Sequence, residues 1–304
     1  MNPLAVMVAR PRLAAVLGAL AIALSGILYR WSGVSPTTGV FFRCLYGLPV
    51  LLLVAAGEWR TLGPMSRRSM ALSALAGVFF AADLITFHYV IDFMGAGLGT
   101  LMGNLQIVIV ALVAWLLFGE KPKREVWIAL PIMLVGVVLI SGIIGSGAYG
   151  ANPQLGVTIG LVTALAYSGY LLVIRRSSPD RRPAGPVTIA TAVCGLTAAL
   201  VGSAVGDIDF VPSLPAHLYL VALGFFSQSV GYLFIQASLP RLPAVITSVL
   251  LLVQPVTTLA LGAILLRELP SPWQFIGVLL VVGGIGLATG ALARIRTSLR
   301  RLAT

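Results

Sequence analysis

Runs of about twenty mostly apolar residues recur along this chain, each long enough to cross a hydrocarbon layer as a helix. Ten can be marked: Leu13–Tyr29, Thr37–Ala56, Ser69–Val90, Ala96–Phe118, Trp127–Ile144, Leu155–Ile174, Val187–Gly206, Leu218–Ala237, Ala244–Leu266 and Trp273–Leu292. Proline, glycine and charge separate them, as in Gly57-Glu58-Trp59-Arg60, Lys121-Pro122-Lys123-Arg124 and Pro179-Asp180-Arg181-Arg182-Pro183. No loop is long enough for a soluble domain. Backbone in lipid has to satisfy its own hydrogen bonds, so runs of this length read as helices. The expectation is an all-α integral membrane protein with ten transmembrane helices. The chain is 59% hydrophobic and 10% charged, whereas a soluble domain carries about 25% charged residues. The stretch Met1–Pro11 bears Arg10 but leads to no small-residue cleavage site, so the first run reads as a retained helix.

Charge orients the array. With the N-terminus in the cytoplasm, every Lys and Arg except Arg30, Arg43 and Arg267 falls on the cytoplasmic side. That is the positive-inside asymmetry, and it places both termini in the cytoplasm of a multi-pass protein of the cytoplasmic (inner) membrane. It also accounts for the net charge of +11 with a lipid bilayer as partner and no nucleic acid, since the basic residues are scattered over loops. Trp31, Trp59, Trp115, Trp127 and Trp273 lie near helix ends, as an aromatic belt requires.

The chain repeats internally. Gln106, Glu120, Pro122 and Gly136 recur 148 positions later as Gln254, Glu268, Pro270 and Gly284. Gly77, Phe79 and Phe87 recur after 147 as Gly224, Phe226 and Phe234, and Ser25-Gly26 after 143 as Ser168-Gly169. Residues 1–147 and 148–304 thus form two related five-helix units. Because five is odd, the units insert with opposite topology, the inverted-repeat plan of many secondary transporters.

Several motifs resemble the drug/metabolite transporter superfamily, EamA family. Leu117-Phe118-Gly119-Glu120-Lys121-Pro122 and Leu266-Arg267-Glu268-Leu269-Pro270 resemble its helix-four/five and helix-nine/ten turns. Gly95-Ala96-Gly97-Leu98 and Gly103-Asn104-Leu105-Gln106 resemble the first part of its helix four. Gln254-Pro255 resembles its helix-nine motif, and Arg43 within Phe41-Phe42-Arg43-Cys44-Leu45 its helix-two arginine. The chain departs at Ile107, where helix four often has proline, and at Gln254, where helix nine often has glutamate. The resemblance implies a transporter of small metabolites, mostly an exporter of amino acids and related compounds.

Ionisable groups at membrane depth are costly and therefore candidate functional residues. Here they are Arg43, Asp83 and His88. Arg43 and Asp83 fall at similar depth, which suggests an ion pair that either locks two helices or leaves Asp83 to bind a substrate amine or take a proton. His88 follows Asp83 by five positions, about 140° around the helix. An ordinary imidazole pKa near 6.5 suits a proton partner, while a place near the helix end suits an interfacial residue equally well. Asn104, Gln106, Gln228, Tyr232 and Gln254 are buried polar candidates for substrate contact, with Gln228 and Tyr232 four apart on one face. Pro255 frees a carbonyl beside Gln254, and Tyr29, Tyr167 and Tyr170 are further candidates to line a cavity. The expected site is where the third, fourth, eighth and ninth helices meet. Small-residue stripes at Gly95, Gly99 and Gly103, and at Gly156, Gly160, Ala164 and Ser168, read as helix packing. Glu120 and Glu268 read as turn-stabilising or gate-adjacent, and Cys44 and Cys194 as small buried hydrophobes.

No H-E-x-x-H, G-x-S-x-G, P-loop or G-x-G-x-x-G pattern occurs, and the few acidic residues lie mostly at loops, so neither a metal nor a cofactor is expected. A secondary transporter working by alternating access fits best. A channel or facilitator is the alternative, disfavoured by the repeat and by the absence of a charged pore ring. A membrane-embedded enzyme fits less well still.

Overall fold

The computed structural model describes residues 11–118, 121–122, 124–177, 182–238 and 253–288. Over those residues all ten apolar runs are helical, and no strand occurs among them. The first run is α1 (Pro11–Ala23) and α2 (Ser25–Ser32), followed by α3 (Pro36–Leu62) and α4 (Arg67–Met94). The fourth run is broken at Asn104 and Leu105 into α5 (Ala96–Gly103) and α6 (Gln106–Phe118). Next come α7 (Arg124–Ile140), α8 (Pro153–Ser177) and α9 (Ala184–Val205). The eighth run holds α10 (Leu214–Ala222), a π-helical stretch (Leu223–Gly231) and α11 (Tyr232–Ser238). The last two are α12 (Val253–Leu265) and α13 (Pro272–Ala288). Among the described residues, six continuous stretches are long and apolar enough to cross a bilayer: Pro11–Ser32, Pro36–Leu62, Arg67–Met94, Pro153–Ser177, Ala184–Val205 and Leu214–Ser238. The described helices of the other runs are shorter. Of the residues singled out from the sequence, Arg10, Gly119, Glu120, Lys123, Asp180, Arg181, Arg241 and the arginines from Arg294 onward lie outside the described residues.

Burial is arranged for lipid. Leu53 is 76% exposed, Leu116 76% and Ile264 74%, whereas Arg43 is 1% exposed and Thr191, Gln228 and Gln274 are 0% exposed. A water-soluble protein places such residues the other way round. The bilayer rewards this arrangement, because polar groups inside the bundle can pair with each other and the apolar exterior meets hydrocarbon.

Helix ends need partners that hydrocarbon cannot supply. Some are local: Ser66 Oγ accepts from Ser69 N at 3.1 Å, Asn152 Oδ1 accepts from Leu155 N at 3.1 Å, and Gly33 and Gly206 close α2 and α9 in the left-handed region. Others reach across the bundle. Glu58, near the end of α3, accepts from Ala184 N and Gly185 N at the start of α9, both at 2.8 Å. Asp207, just past α9, accepts from Thr37 N at 3.4 Å and Thr37 Oγ1 at 3.1 Å at the start of α3. Glu268, past α12, accepts from Ala96 N at 2.7 Å and Gly97 N at 3.0 Å at the start of α5. Its carboxylate therefore serves another helix rather than its own turn. A negative charge on exposed N–H groups also complements the helix dipole. These contacts make α3 antiparallel to α9 and α12 antiparallel to α5. Arg182 also donates to Leu62 O and Gly63 O, so the end of α3 and the start of α9 share one face with the neighbouring Arg60, Arg67, Arg68, Arg175 and Arg176.

The helices pack α4 on α8 and α1 on α11, α4 on α9 and α3 on the π-helical stretch, α5 on α8 and α12 on α1, with α3·α9, α5·α12 and α7·α13 as further pairs. Glycine sets several of the crossings. A methyl at Gly77 would lie 2.6 Å from Ala190 O and 2.7 Å from Val193 Cβ, and one at Gly224 would lie 2.9 Å from Arg43 O and 2.8 Å from Tyr46 Cβ. Gly136 faces Gly277 and Val281 of α13, and Gly284 faces Met133 and Ala129 of α7.

At Gly136, an added Cβ would stand 2.8 Å from the backbone oxygen of Gly277, which no rotamer change relieves. Gly136→Leu is expected to cost about 1–3 kcal/mol by overpacking. Glu58→Ala is expected to cost about as much by stranding one buried and one half-buried N–H group. Leu53→Ala, on the lipid face, should stay within about 0.5 kcal/mol. Melting of the detergent-purified chain checks all three.

Candidate functional site

The break in the fourth run is where the chain opens a space. Asn104 N bonds back to Thr100 O at 3.2 Å and to Leu101 O at 3.1 Å, and Asn104 Nδ2 donates to Thr100 O at 2.8 Å. This tight turn ends α5 inside the bundle. Around it lies a cavity of about 160 Å3 whose described lining includes Arg43, Asp83, Asn104, Gln106, Tyr232 and Gln254. The walls come from α1 and α2 (Ile22, Ser25), α3, α4, the two parts of the fourth run, α8 (Thr163, Tyr167, Leu171), α11 and α12. An aromatic cluster backs one wall: Tyr167 stacks with Tyr170 at 5.8 Å, Tyr170 with Phe80 at 4.5 Å, and Tyr232 meets Phe80 edge-on at 5.1 Å.

Seven of the site candidates named from the sequence, Tyr167 among them, therefore share one cavity, and the third, fourth, eighth and ninth runs all contribute to it. The first, second and sixth runs contribute as well, which hydropathy did not reveal. The tyrosines named from the sequence pointed toward the first and sixth, and of these Tyr167 lines the cavity.

Arg43 and Asp83 face the same space, but no ion pair joins them, whereas Arg30 and Asp92 form one at 3.4 Å. The expected Arg43–Asp83 pair is thus corrected. The guanidinium is engaged elsewhere: Nε donates to Gln228 Oε1 at 2.7 Å, one Nη to Ser25 Oγ and the other to Ser227 Oγ, both at 3.1 Å. Gln228 is fully buried behind Arg43 rather than lining the cavity, and its Nε2 donates to Thr191 Oγ1 at 2.8 Å. The Asp83 carboxyl group accepts no hydrogen bond from the described residues, and the residue is 6% exposed.

His88 does not reach the cavity lining. Its ring stacks on Tyr29 at 3.8 Å and 11°, and its Nδ1 meets Pro36 O at 3.2 Å, so Nδ1 carries the proton. Tyr29 in turn donates to Asp92 at 2.9 Å. Tyr29 belongs to a buried cluster with Ile27, Phe42, Ile91 and Ala96, and the fully buried His88 stacks against it. Pro255 is buried near the start of described α12, one residue from Gln254, and is not part of the cavity lining.

Water should therefore reach Asn104 and Gln254 but not His88. In cysteine-substituted chains, a water-soluble thiol reagent is expected to modify Asn104→Cys and Gln254→Cys and to leave His88→Cys unmodified. The native Cys44 and Cys194 are fully buried and should give little background. Mass spectrometry of the labelled chain reads the result.

Comparison with known proteins follows the same line. The model of the EamA-like transporter family matches residues 11–142 and 154–290. The pseudopaline exporter CntI of Pseudomonas aeruginosa is 27% identical over 256 residues, covering 82% of this chain and 84% of that protein. The uncharacterized transporter YwfM of Bacillus subtilis is 24% identical over 231 residues, 74% of this chain and 75% of that protein. An uncharacterized transporter of Synechocystis is also 24% identical, but the match spans only 46% of its length and 47% of this chain. One solved crystal structure superposes with a TM-score of 0.63 at 21% identity, over 92% of this chain and 98% of that one, which shows a shared fold.

Proposed function

The chain belongs to the EamA-like transporter family, and on that footing we propose that it is a secondary transporter that moves a small metabolite out of the cytoplasm by alternating access. Two inverted five-helix units, 1–147 and 148–304, cross the membrane ten times in this reading. The packing pattern supports it. Exchanging each run for its partner five places on turns α4·α8 into α11·α1, α4·α9 into the π-helical stretch on α3, and α5·α8 into α12·α1. The α3·α9, α5·α12 and α7·α13 pairs map onto themselves. The same exchange carries Gly77 on Ala190 and Val193 into Gly224 on Arg43 and Tyr46, and Gly136 on Val281 into Gly284 on Met133. A two-fold relation of this kind lets one helix set close as the other opens around a central site. The gathering of basic loops at one face supports a cytoplasmic location for that face and for both termini. The exporter name of the Pseudomonas relative supports the outward direction.

The observation that carries the reading is the cavity itself. It lies midway along the helices and is reached by amides from both halves, Gln106 and Gln254, which the 148-residue offset pairs. It has a cation on one wall and a carboxylate on another that do not neutralise each other by contact. A small solute with separated positive and negative groups, such as an amino acid or a related compound, complements that arrangement. Asp83 receives the positive end, while Asn104, Gln106, Tyr232 and Gln254 supply hydrogen bonds.

Counterflow in proteoliposomes tests this, since a carrier exchanges labelled for unlabelled solute and a channel does not. Asp83→Asn is expected to abolish counterflow of amino acids while membrane expression and melting behaviour stay close to those of the parent. Normal counterflow by that variant would remove Asp83 from the site.

A further inference from the structure

The Arg43 cluster breaks the symmetry of its surroundings. Under the 147-residue offset, a reading this inference rests on, Arg43 corresponds to Ala190, Ser227 to Phe80 and Gln228 to Ala81. The backbones at the two places are alike: Gly77 closes on Ala190 as Gly224 closes on Arg43. One place is filled by alanine and phenylalanine, the other by a guanidinium, an amide and a hydroxyl. The crossing can therefore be packed with apolar groups alone, and nothing in the architecture calls for a cation there. A charge at membrane depth costs several kcal/mol. The α4 counterpart of the π-helical stretch Leu223–Gly231 is a regular α-helix, so the backbone distortion also falls only on the polar side. Irregular turns of this kind often accompany function.

The hydrogen bonding of Arg43 indicates what it is for. Its three acceptors, Gln228 Oε1, Ser25 Oγ and Ser227 Oγ, are all neutral. They hold the planar group in place without cancelling its charge. A guanidinium has five N–H donors, and these three bonds leave one on each Nη. Arg43 also lines the cavity. Gln228 can present its oxygen to Arg43 because its Nε2 is committed to Thr191 Oγ1 at 2.8 Å. We infer that Arg43 is the receptor for a carboxylate on the transported solute, and that Gln228, oriented by Thr191, is a positioning residue that aims it. The planar donor pair matches the two oxygens of a carboxylate in a way that an ammonium group does not.

Gln228→Glu separates this role from a structural one. Glutamate keeps the contact to Arg43 and strengthens it into an ion pair, so a purely structural Arg43 would tolerate it. A carboxylate receptor would be occupied from within. The experiment uses the full chain in proteoliposomes, counterflow of labelled amino acids, and two competitors for each: the matching amine without the carboxyl group and the matching acid without the amino group. The expected result for Gln228→Glu is a melting temperature at or above that of the parent and a KM raised about tenfold or more. Competition by the acid should be lost and competition by the amine retained. Arg43→Lys, which keeps charge but loses the fork, should fall between parent and Gln228→Glu. A parental KM with undiminished acid competition in Gln228→Glu would overturn the inference.

A panel with no counterflow at all would instead count against the carrier reading. The Arg43 site is then read directly, from thermal stabilisation of the purified chain by acetate and propionate. It should be saturable in the parent and absent in Gln228→Glu. No saturable stabilisation in the parent overturns the site.

Discussion

Hydrocarbon offers no hydrogen bond to the end of a helix, so every N–H left over at a helix start has to find an acceptor inside the protein. In this molecule three carboxylates meet that need across the bundle. Glu58 serves α9, Asp207 serves α3 and Glu268 serves α5. Each sits at or just past the end of one helix and holds the beginning of another. The contacts therefore do more than satisfy a backbone: they fix which ends lie side by side, and so set the antiparallel arrangement that encloses the cavity. The acids at these positions are spent on architecture, which leaves Asp83 as the cavity's own carboxylate.

The same constraint explains why polarity at the centre is informative. Buried polar groups in a bundle are ordinarily paired, and most here are: Ser229 with Gly47 O and Gly224 O, Thr258 with Ala23 O, Gln274 with Ile140 O and Tyr149 O. Arg43 departs from that pattern because its hydrogen-bond partners are all neutral, and Asp83 because its side chain has no hydrogen-bond partner among the described residues. A guanidinium held by neutral groups and a carboxyl group without a side-chain hydrogen bond thus flank one small polar space. The aromatic cluster of Phe80, Tyr167, Tyr170 and Tyr232 beside them gives that space a stiff wall.

Much of this was legible in the chain. Gln106, Gln254, Asn104, Tyr232, Asp83 and Arg43 stand out in the sequence because each is a polar residue within an otherwise apolar run, and the cavity gathers all of them. His88 stands out for the same reason, yet it is fully buried and stacked against Tyr29. Gln228 stands out too, and it lies behind the cavity rather than in it. Position along a run gives depth in the membrane, but the direction a side chain faces depends on how its helix is rotated against its neighbours. The glycine contacts at Gly77 and Gly224 set that rotation, and they become visible only when two helices are brought together.

The sequence by itself determined the membrane class, the positions of the apolar runs, the 148-residue spacing of matching residues and the clustering of basic charge between runs. Each is a property of composition or spacing along one dimension, and the solvent imposes it run by run. Tertiary structure decided the partners: Arg43 with Gln228, Ser25 and Ser227 instead of Asp83, Glu268 with the start of α5 instead of its own turn, and Thr163 in the cavity wall. Such pairings join residues as much as 185 positions apart. They depend on crossing points and helix rotation, which a hydropathy pattern does not encode.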